Sequence, residues 1–214
     1  MQDLFIKICG ITNLRDAEQS VSLGANAIGF IFYEHSPRYV LPSRAAEIAA
    51  AMPEYISKVG VFVEASRAQI LQTARRVNLS AVQLSGREGP DDLIDYETSV
   101  IKVFHVHPEF DTAVMNNYLV DAFLLDTFRD GSFGGTGMTF DWNVAVKAKQ
   151  FGRVILSGGL TPENIEAAVR YVRPYGVDVS SGVESRAGKK DHAKLRDFIA
   201  NARNAQLSVG TPDE

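Results

Sequence analysis

The sequence has a single cysteine, Cys9, and no long apolar run among its 214 residues. A lone cysteine excludes an internal disulfide and a cysteine-rich metal site, so Cys9 serves either in packing or in thiol chemistry. No uninterrupted apolar stretch approaches the roughly 18 residues of a membrane span, and the first residues lack the basic and apolar regions of a signal peptide. We therefore expect a cytoplasmic protein without a membrane partner.

The chain also has few clustered basic residues. Its net charge is −4 and its pI about 5.6, and adjacent basic residues occur only as pairs such as Arg75-Arg76 and Lys189-Lys190. This balance argues against a nucleic-acid partner. The four histidines have no convincing zinc-ligand spacing, since no third ligand accompanies His105 and His107, which alternate on one strand.

Short apolar segments alternate with segments of helical periodicity eight times along the chain. The eight apolar segments span residues 5–9, 27–32, 58–63, 81–84, 100–106, 122–125, 153–156 and 176–179. Dividing 214 residues by eight gives about 27 per unit, enough for a strand, a helix and two short loops. We predict a single-domain (β/α)8 TIM barrel over residues 1–206 with a polar tail at 207–214. An open doubly wound sheet is the alternative, although the first strand lacks its glycine fingerprint.

Local signals place several helix starts. Asn13 is expected to cap the first helix, and Ser66 with Gln69 forms a capping box at the start of the third. Thr161 is expected to cap the seventh helix with Pro162 at its first position. The segments around residues 91–96 and 112–119 are the expected helices of the fourth and fifth units.

In such a barrel, function lies at the carboxyl ends of the strands. The sixth strand ends in the carboxylate of Asp126, and a glycine-rich loop at residues 131–137 follows it. The first strand delivers Cys9, the loop after the second delivers Arg38, and the fourth delivers Gln83 and Ser85.

Three groups of small residues follow strands six, seven and eight, where barrels commonly bind phosphate through exposed backbone N–H groups. Any one group alone could simply form a tight turn, but together they favour a phosphate site. The expected phosphate-binding residues are Gly135, Gly137, Gly158, Gly159, Ser180, Ser181 and Gly182.

Cys9 and Asp126 are the candidates for proton transfer. A thiol with a pKa near 8.5 is only about 3% ionised at pH 7, so a base role requires a pKa depressed by about one unit, which Lys7 could partly supply. An acid role for Asp126 requires the opposite, a pKa raised by about three units through burial and a nearby anion. The alternatives are a packed core cysteine and a carboxylate that caps a loop or forms a salt bridge.

Arg38 lies between Pro37 and Tyr39 on the loop after the second strand. An isolated arginine is usually a solvated surface residue. On the active face of a barrel, its planar guanidinium could instead hold a substrate carboxylate through two parallel hydrogen bonds.

Motifs in the same order over almost the whole chain resemble phosphoribosylanthranilate isomerase. They include Lys7-Ile8-Cys9-Gly10, Leu124-Leu125-Asp126 and Gly134-Gly135-Thr136-Gly137, with further matches at residues 29–32, 36–40, 59–63, 82–84, 140–142 and 176–184. The resemblance implies a barrel enzyme of tryptophan biosynthesis that uses neither cofactor nor metal. Its small-molecule substrate would be N-(5-phosphoribosyl)anthranilate, and the chain would be a monomer or homodimer.

The resemblance also implies roles for individual residues. Asp126 would protonate the furanose oxygen as general acid, and the Cys9 thiolate would remove the proton from C2′ as general base. The glycine and serine loops would hold the 5′-phosphate. Arg38 would hold the anthranilate carboxylate, and the substrate-binding set would be Lys7, Arg38, Gln83 and Asp178.

One position departs from the family pattern. Members usually have Gln-Leu-His-Gly on the fourth strand, and this chain has Ser85 at the histidine position. The departure leaves open which side chain makes a polar contact near the anthranilate or the ribose, and His105 and His107 on the next strand are candidates.

Two other interpretations remain open. The related isomerase of histidine biosynthesis uses an aspartate where this chain has Cys9, and its two-phosphate substrate would need a second anion site. No glycine cluster after strands two to four provides one. A catalytically silent barrel that binds a phosphorylated ligand or a partner has only Ser85 in its support.

Overall fold

Eight parallel strands close a barrel in chain order, with the eighth strand paired to the first. The computed structural model describes residues 3–127 and 140–209. The strands are β1 (Phe5–Ile8), β2 (Ala27–Ile31), β3 (Ser57–Phe62), β4 (Ala81–Leu84), β5 (Ser99–Val106), β6 (Ala122–Thr127), β7 (Val154–Leu156) and β8 (Gly176–Val179). The predicted (β/α)8 barrel is therefore confirmed, and the open sheet is wrong.

Helices surround the barrel where the sequence has strong caps and apolar periodicity. They are α1 (Leu14–Ser22), α2 (Pro42–Ala50), α3 (Arg67–Val77), α4 (Trp142–Ala148), α5 (Ile165–Val172) and α6 (His192–Val209). The Asn13 side chain accepts from the backbone N–H of Asp16 at 3.0 Å, as an N-cap does. The predicted capping box of Ser66 and Gln69 is present at the start of α3. Both cap predictions are confirmed.

The fourth and fifth units lack the expected α-helices. The connections after β4 and β5 contain only short 3₁₀ helices, Pro90–Leu93 and Thr112–Asn117. Each buries a single side chain, Leu93 in the first and Met115 in the second. One apolar anchor provides too little burial to stabilise a helix of several turns, because short helices depend on packing of an apolar face.

The start of α5 also differs from the prediction, because Asn164 rather than Thr161 occupies the N-cap position. The Thr161 N–H donates to the Asn164 Oδ1 at 2.8 Å, and the Asn164 amide donates to the Gly159 carbonyl at 2.8 Å. These bonds hold residues 161–164 in a turn, so the helix begins later, at Ile165.

Side-chain alternation along the strands determines which residues reach the mouth of the barrel. A small apolar cluster inside the cylinder is formed by Ala27, Val59, Ala81, Ile101, Val103, Ala122, Leu124 and Ile155. Successive side chains on a strand point to opposite faces. Counting by twos from this cluster therefore carries the inner face to Gln83 on β4, His105 on β5 and Asp126 on β6.

The two ends of the described chain are joined. Gln206 and Arg203 of α6 bond the backbone N–H and carbonyl of Leu4 at 2.9 and 2.6 Å. The helix continues to Val209, three residues into the predicted tail at 207–214, while residues 210–214 lie outside the described range. The boundary between domain and tail stays a prediction.

No helix within the two described ranges is long and apolar enough to cross a membrane. After β8, a turn at Ser181–Val183 leads into a small antiparallel hairpin of β9 (Glu184–Arg186) and β10 (Lys189–Lys190). This hairpin lies beside the mouth of the barrel and contributes two charged side chains to the site.

Candidate active site

A cleft of about 810 Å³, partly open to solvent, occupies the carboxyl-terminal mouth of the barrel. Side chains or loops from all eight strands line it, including Cys9, Arg38, Gln83, Ser85, His105, Asp126, Gly158, Gly159, Asp178, Ser180, Ser181 and Gly182. Most of the predicted site residues therefore meet in one cavity.

A buried ion pair forms the floor of the cleft on the β1 and β8 side. Lys7 Nζ contacts Asp178 Oδ1 at 2.8 Å, and the Lys7 side chain is fully buried. Burial opposes the charge on Lys7, but the neighbouring Asp178 and Cys9 outweigh it and raise the Lys7 pKa. Lys7 is consequently a fixed positive charge beside the thiol.

Cys9 is buried next to Lys7, on the same strand face as predicted. Burial raises the pKa of the Cys9 thiol, the positive charge of Lys7 opposes this rise, and the negative charge of Asp178 adds to it. The pKa shift is therefore opposite in sign to the depression that a base role requires. Desolvation of the thiolate outweighs the one favourable cation, because Asp178 largely neutralises that cation.

Asp126 shows the shift that an acid role requires. Burial raises the pKa of its carboxyl to about 6, and Asp178 adds to the rise, while the Thr127 N–H, which donates to Oδ1 at 2.8 Å, opposes it. Gly158 packs closely on this carboxyl, with a φ of +80°. A Cβ at that position would lie 2.8 Å from Asp126 Oδ1. Only glycine suits both the backbone conformation and the contact.

The predicted phosphate loops after β7 and β8 lie together at one end of the cleft. Gly182 packs so tightly on the Leu160 carbonyl that a side chain there would collide with it. The Ser180 Oγ is buried and has no hydrogen-bond partner among the described residues. Gly135 and Gly137 lie outside the described residues.

Arg38 reaches the cleft, but part of its guanidinium is already used. Its Nε lies 2.9 Å from Glu184 Oε1, and its Nη2 lies 2.8 Å from Glu184 Oε2. Both side chains are largely buried. The guanidinium is therefore not entirely available to a ligand. Glu184 of β9 occupies one edge of it, and the opposite edge can bind a substrate carboxylate.

Residues 3–127 and 140–209 contain no group of three His, Cys, Asp or Glu side chains arranged to hold a metal ion.

The sequence model of the N-(5′-phosphoribosyl)anthranilate isomerase family matches residues 6–201. The chain belongs to this family. The resemblance stated from the motifs is thus confirmed, and with it the class of enzyme, an isomerase.

Relatives and solved structures agree with this assignment. The N-(5′-phosphoribosyl)anthranilate isomerase of Geobacter metallireducens is 48% identical over 198 residues, which cover 92% of this chain and 98% of the relative. The crystal structure of the Thermotoga maritima isomerase is 44% identical, with a TM-score of 0.87 over 94% of this chain and 99% of that one. A further isomerase structure contains reduced 1-(o-carboxyphenylamino)-1-deoxyribulose 5-phosphate. It is 42% identical with a TM-score of 0.83, covering the same shares of both chains.

One residue of this isomerase family member was not anticipated from the sequence. Lys190 is buried, and its Nζ donates to the carbonyls of Cys9 at 2.6 Å and Ser180 at 3.1 Å and pairs with Glu184 at 3.1 Å. It therefore joins the carboxyl ends of β1 and β8 and fixes the carboxylate that holds Arg38. In the sequence, Lys189-Lys190 is an ordinary basic pair, and only the fold distinguishes the buried lysine from the exposed one.

The position where this chain departs from the usual isomerase motif is also resolved. The Ser85 hydroxyl lies 3.1 Å from His105 Nε2, and both side chains line the cleft. His107 is absent from the lining, and its Nδ1 lies 3.7 Å from the exposed Glu109 carboxylate. Of the two histidine candidates, His105 is the one at the cleft.

Proposed function

We propose that the chain converts N-(5-phosphoribosyl)anthranilate to 1-(2-carboxyphenylamino)-1-deoxyribulose 5-phosphate, with Asp126 as general acid and Cys9 as general base. The main support is that a carboxyl group with a pKa near 6 and a buried thiol beside a lysine line one cleft. Membership of the isomerase family supports the substrate.

Asp126 performs the first step. It donates its proton to the furanose ring oxygen as the bond between that oxygen and C1′ breaks, which leaves an iminium at C1′ and the ribose hydroxyl at C4′. A pKa near 6 keeps about a tenth of the carboxyl protonated at pH 7, compared with less than about 0.1% at the ordinary aspartate value. The burial of Asp126 therefore supplies the acid form.

Cys9 performs the second step. The iminium makes the C2′ proton acidic and brings a positive charge into the cleft, which favours a thiolate. The thiolate takes the C2′ proton, the electron pair forms the enolamine, and tautomerisation places a proton on C1′ and leaves a ketone at C2′. The raised thiol pKa means that only a small fraction of the protein carries the reactive thiolate, and the iminium charge then opposes its reprotonation.

Binding groups at the two ends orient the substrate. Backbone N–H groups of Gly158, Gly159 and the 180–182 loop hold the 5′-phosphate, together with Gly135 and Gly137. The edge of Arg38 that faces away from Glu184 holds the anthranilate carboxylate. Lys7 and Asp178 hold the part of the substrate around C2′ in position. Gln83, whose Oε1 is buried with no partner among the described residues, accepts a hydrogen bond from a ribose hydroxyl.

The alternatives receive less support. A second phosphate group would need cations or open backbone on the β3 to β5 side, and the lining there consists of valines with neutral polar side chains. A catalytically silent barrel would have no use for the raised pKa of Asp126. We also propose the cytoplasm as the compartment, since reducing conditions keep the single thiol in the form that the mechanism needs.

A steady-state assay of the purified chain with N-(5-phosphoribosyl)anthranilate tests the function. We expect turnover that EDTA does not reduce, and far lower turnover with the two-phosphate substrate of the histidine-pathway isomerase. Absence of turnover with a folded protein would support the silent barrel. Equal turnover of both substrates would contradict the assigned specificity.

A further inference from the structure

The side of the cleft formed by β3, β4 and β5 carries no charged group. Apolar side chains dominate it, and three neutral polar side chains interrupt them. The apolar members are Val61, Val63 and Val103, and the polar members are Gln83, Ser85 and His105. A ligand bound against this side therefore contacts a mainly apolar surface with a few hydrogen-bonding groups.

The paired Ser85 and His105 lie close to the acid. Ser85 Oγ and His105 Nε2 are 3.1 Å apart, across the neighbouring strands β4 and β5. His105 is also directly opposite Asp126 in the register of β5 and β6. The imidazole thus lies at the same level of the barrel as the carboxyl that we assign as general acid.

Burial lowers the pKa of His105, and the positive charge of Lys102 lowers it further. The imidazole is therefore neutral at pH 7. This neutrality matters for its neighbour, because a cationic imidazole beside Asp126 would favour the carboxylate and remove the protonated acid.

Anchoring of the phosphate restricts which part of the substrate can reach this pair. The phosphate loops follow β7 and β8, almost opposite β4 around the closed barrel. With the ribose between Cys9 and Asp126, the remaining part of the substrate, its aromatic amine, extends toward β3 to β5. The ring can lie on the valines, with its amine and edge near Ser85 and His105.

We propose that His105, held by Ser85, is the hydrogen-bonding contact that recognises the aromatic-amine half of the substrate and so determines specificity for aryl-amino phosphosugars. This rests on the proposed function. The pair acts on ligand recognition and leaves proton transfer to Cys9 and Asp126.

Binding of two probes separates this role from general support of the barrel. The first is the reduced product analogue, 1-(o-carboxyphenylamino)-1-deoxyribulose 5-phosphate with its ketone reduced, and the second is ribulose 5-phosphate, which lacks the ring. His105→Ala should lower the affinity for the analogue about tenfold, which corresponds to the loss of one hydrogen bond. The affinity for ribulose 5-phosphate should change by less than about twofold. The KM for N-(5-phosphoribosyl)anthranilate should rise in parallel, with kcat changed less.

Two further variants strengthen the test. The double variant Ser85→His/His105→Ser moves the imidazole one strand along and should regain most of the lost affinity for the analogue. His107→Ala is the matched control, because that imidazole lies outside the cleft beside Glu109. It should bind both probes as the unmodified chain does.

The proposal would be overturned if His105→Ala lost affinity equally for both probes or for neither. It would also be overturned if His107→Ala showed the same selective loss of affinity for the analogue. If His105→Ala does not fold, Ser85→Ala decides. A selective loss of the analogue supports the role, and unchanged discrimination rejects it. Turnover by the unmodified chain tests the function separately, so failure of the contact and failure of the activity are distinguishable.

Discussion

The two sides of the barrel mouth differ in charge. The side formed by β8, β1 and the adjoining hairpin and loop, here called the charged side, contains Lys7, Arg38, Asp178, Glu184 and Lys190 around Cys9. The side formed by β3 to β5, here called the neutral side, contains Val61, Val63, Gln83, Ser85, Val103 and His105. Each buried charge on the charged side has a partner of opposite charge, whereas the neutral side contains no charged group.

This difference separates two tasks. Proton transfer needs charges that do not relax when the substrate binds, and paired buried ions provide a fixed field. Recognition of an aromatic amine needs apolar contact without a field that would change the protonation of Asp126. Substitution of Asp126 or of a residue on the charged side should therefore have a larger effect than substitution on the neutral side.

Asp126→Asn should lower kcat by at least about 10²-fold, as loss of a general acid does. The same change should increase stability above pH 7. The native pKa near 6 lies above the ordinary aspartate value, so folding favours the protonated form and loses stability as pH rises through 6. An uncharged amide avoids this loss, worth about 1–3 kcal/mol beside an open cleft.

Urea denaturation at pH 7.5 and pH 4 measures the second effect. Near pH 4 the native carboxyl is protonated, so the gain should almost vanish. A variant that turns over normally, or that is less stable at pH 7.5, would indicate that Asp126 is a structural salt bridge or cap.

Cys9→Ala should lower kcat by a similar factor of at least about 10², with little change in the affinity for ribulose 5-phosphate. Steady-state kinetics and a melting curve of the same preparation distinguish the two interpretations of the thiol. A lower melting temperature with nearly normal kcat would make Cys9 a packing residue.

Arg38→Ala should raise KM for N-(5-phosphoribosyl)anthranilate by about ten- to a hundredfold, the usual range for a charged hydrogen bond, with a smaller change in kcat. Arg44→Ala on the exposed face of α2 is a suitable control, since Arg44 pairs with the neighbouring Glu47 at the surface. An unchanged KM would assign Arg38 to support of β9 alone.

Asp178→Asn should shift the pH profile. The reactive form needs protonated Asp126 and ionised Cys9, so kcat/KM should be level between their pKa values and fall below about pH 6. Removing the Asp178 charge leaves Lys7 unopposed and lowers both pKa values, so this limb should move to lower pH. Glu166→Gln on the surface of α5 is the control. A limb that moves to higher pH would contradict the assignment.

Val63→Ala on the neutral side should have the smallest effect. It removes apolar contact with the aromatic ring, which should raise KM about threefold and leave the pH profile unchanged. Val146→Ala, on the exposed face of α4, should change neither. A large fall in kcat for Val63→Ala would show that the two sides do not divide the work as described.

The sequence predicted those parts of the fold that depend on local pattern. Eight apolar segments, the Asn13 cap and the Ser66 capping box were visible as spacing and residue type. The residues of the barrel mouth followed from their positions at the carboxyl ends of the predicted strands. The units after β4 and β5 were mistaken because their polar segments resemble helices, and the burial of one residue each, Leu93 and Met115, is a tertiary fact.

The site was predictable in its members more than in its electrostatics. The shift for Asp126 followed from a carboxylate at a buried strand end. The shift for Cys9 did not, because it depends first on how fully the fold buries the thiol and then on Asp178, which lies 169 residues further along the chain and pairs with Lys7. The Glu184 partner of Arg38 and the burial of Lys190 likewise depend on a hairpin that no local pattern indicated.

Lys190 determines when the site can form during synthesis of the chain. The seam of the barrel between β1 and β8 is joined by Lys190 Nζ, which donates a hydrogen bond to the Cys9 carbonyl at 2.6 Å. A nascent chain emerges from the ribosome with its amino end first, so 181 further residues must be synthesised after Cys9 before Lys190 can bond to it. Premature termination ahead of this lysine therefore yields a polypeptide that contains both proton-transfer residues and cannot complete the seam that holds one of them.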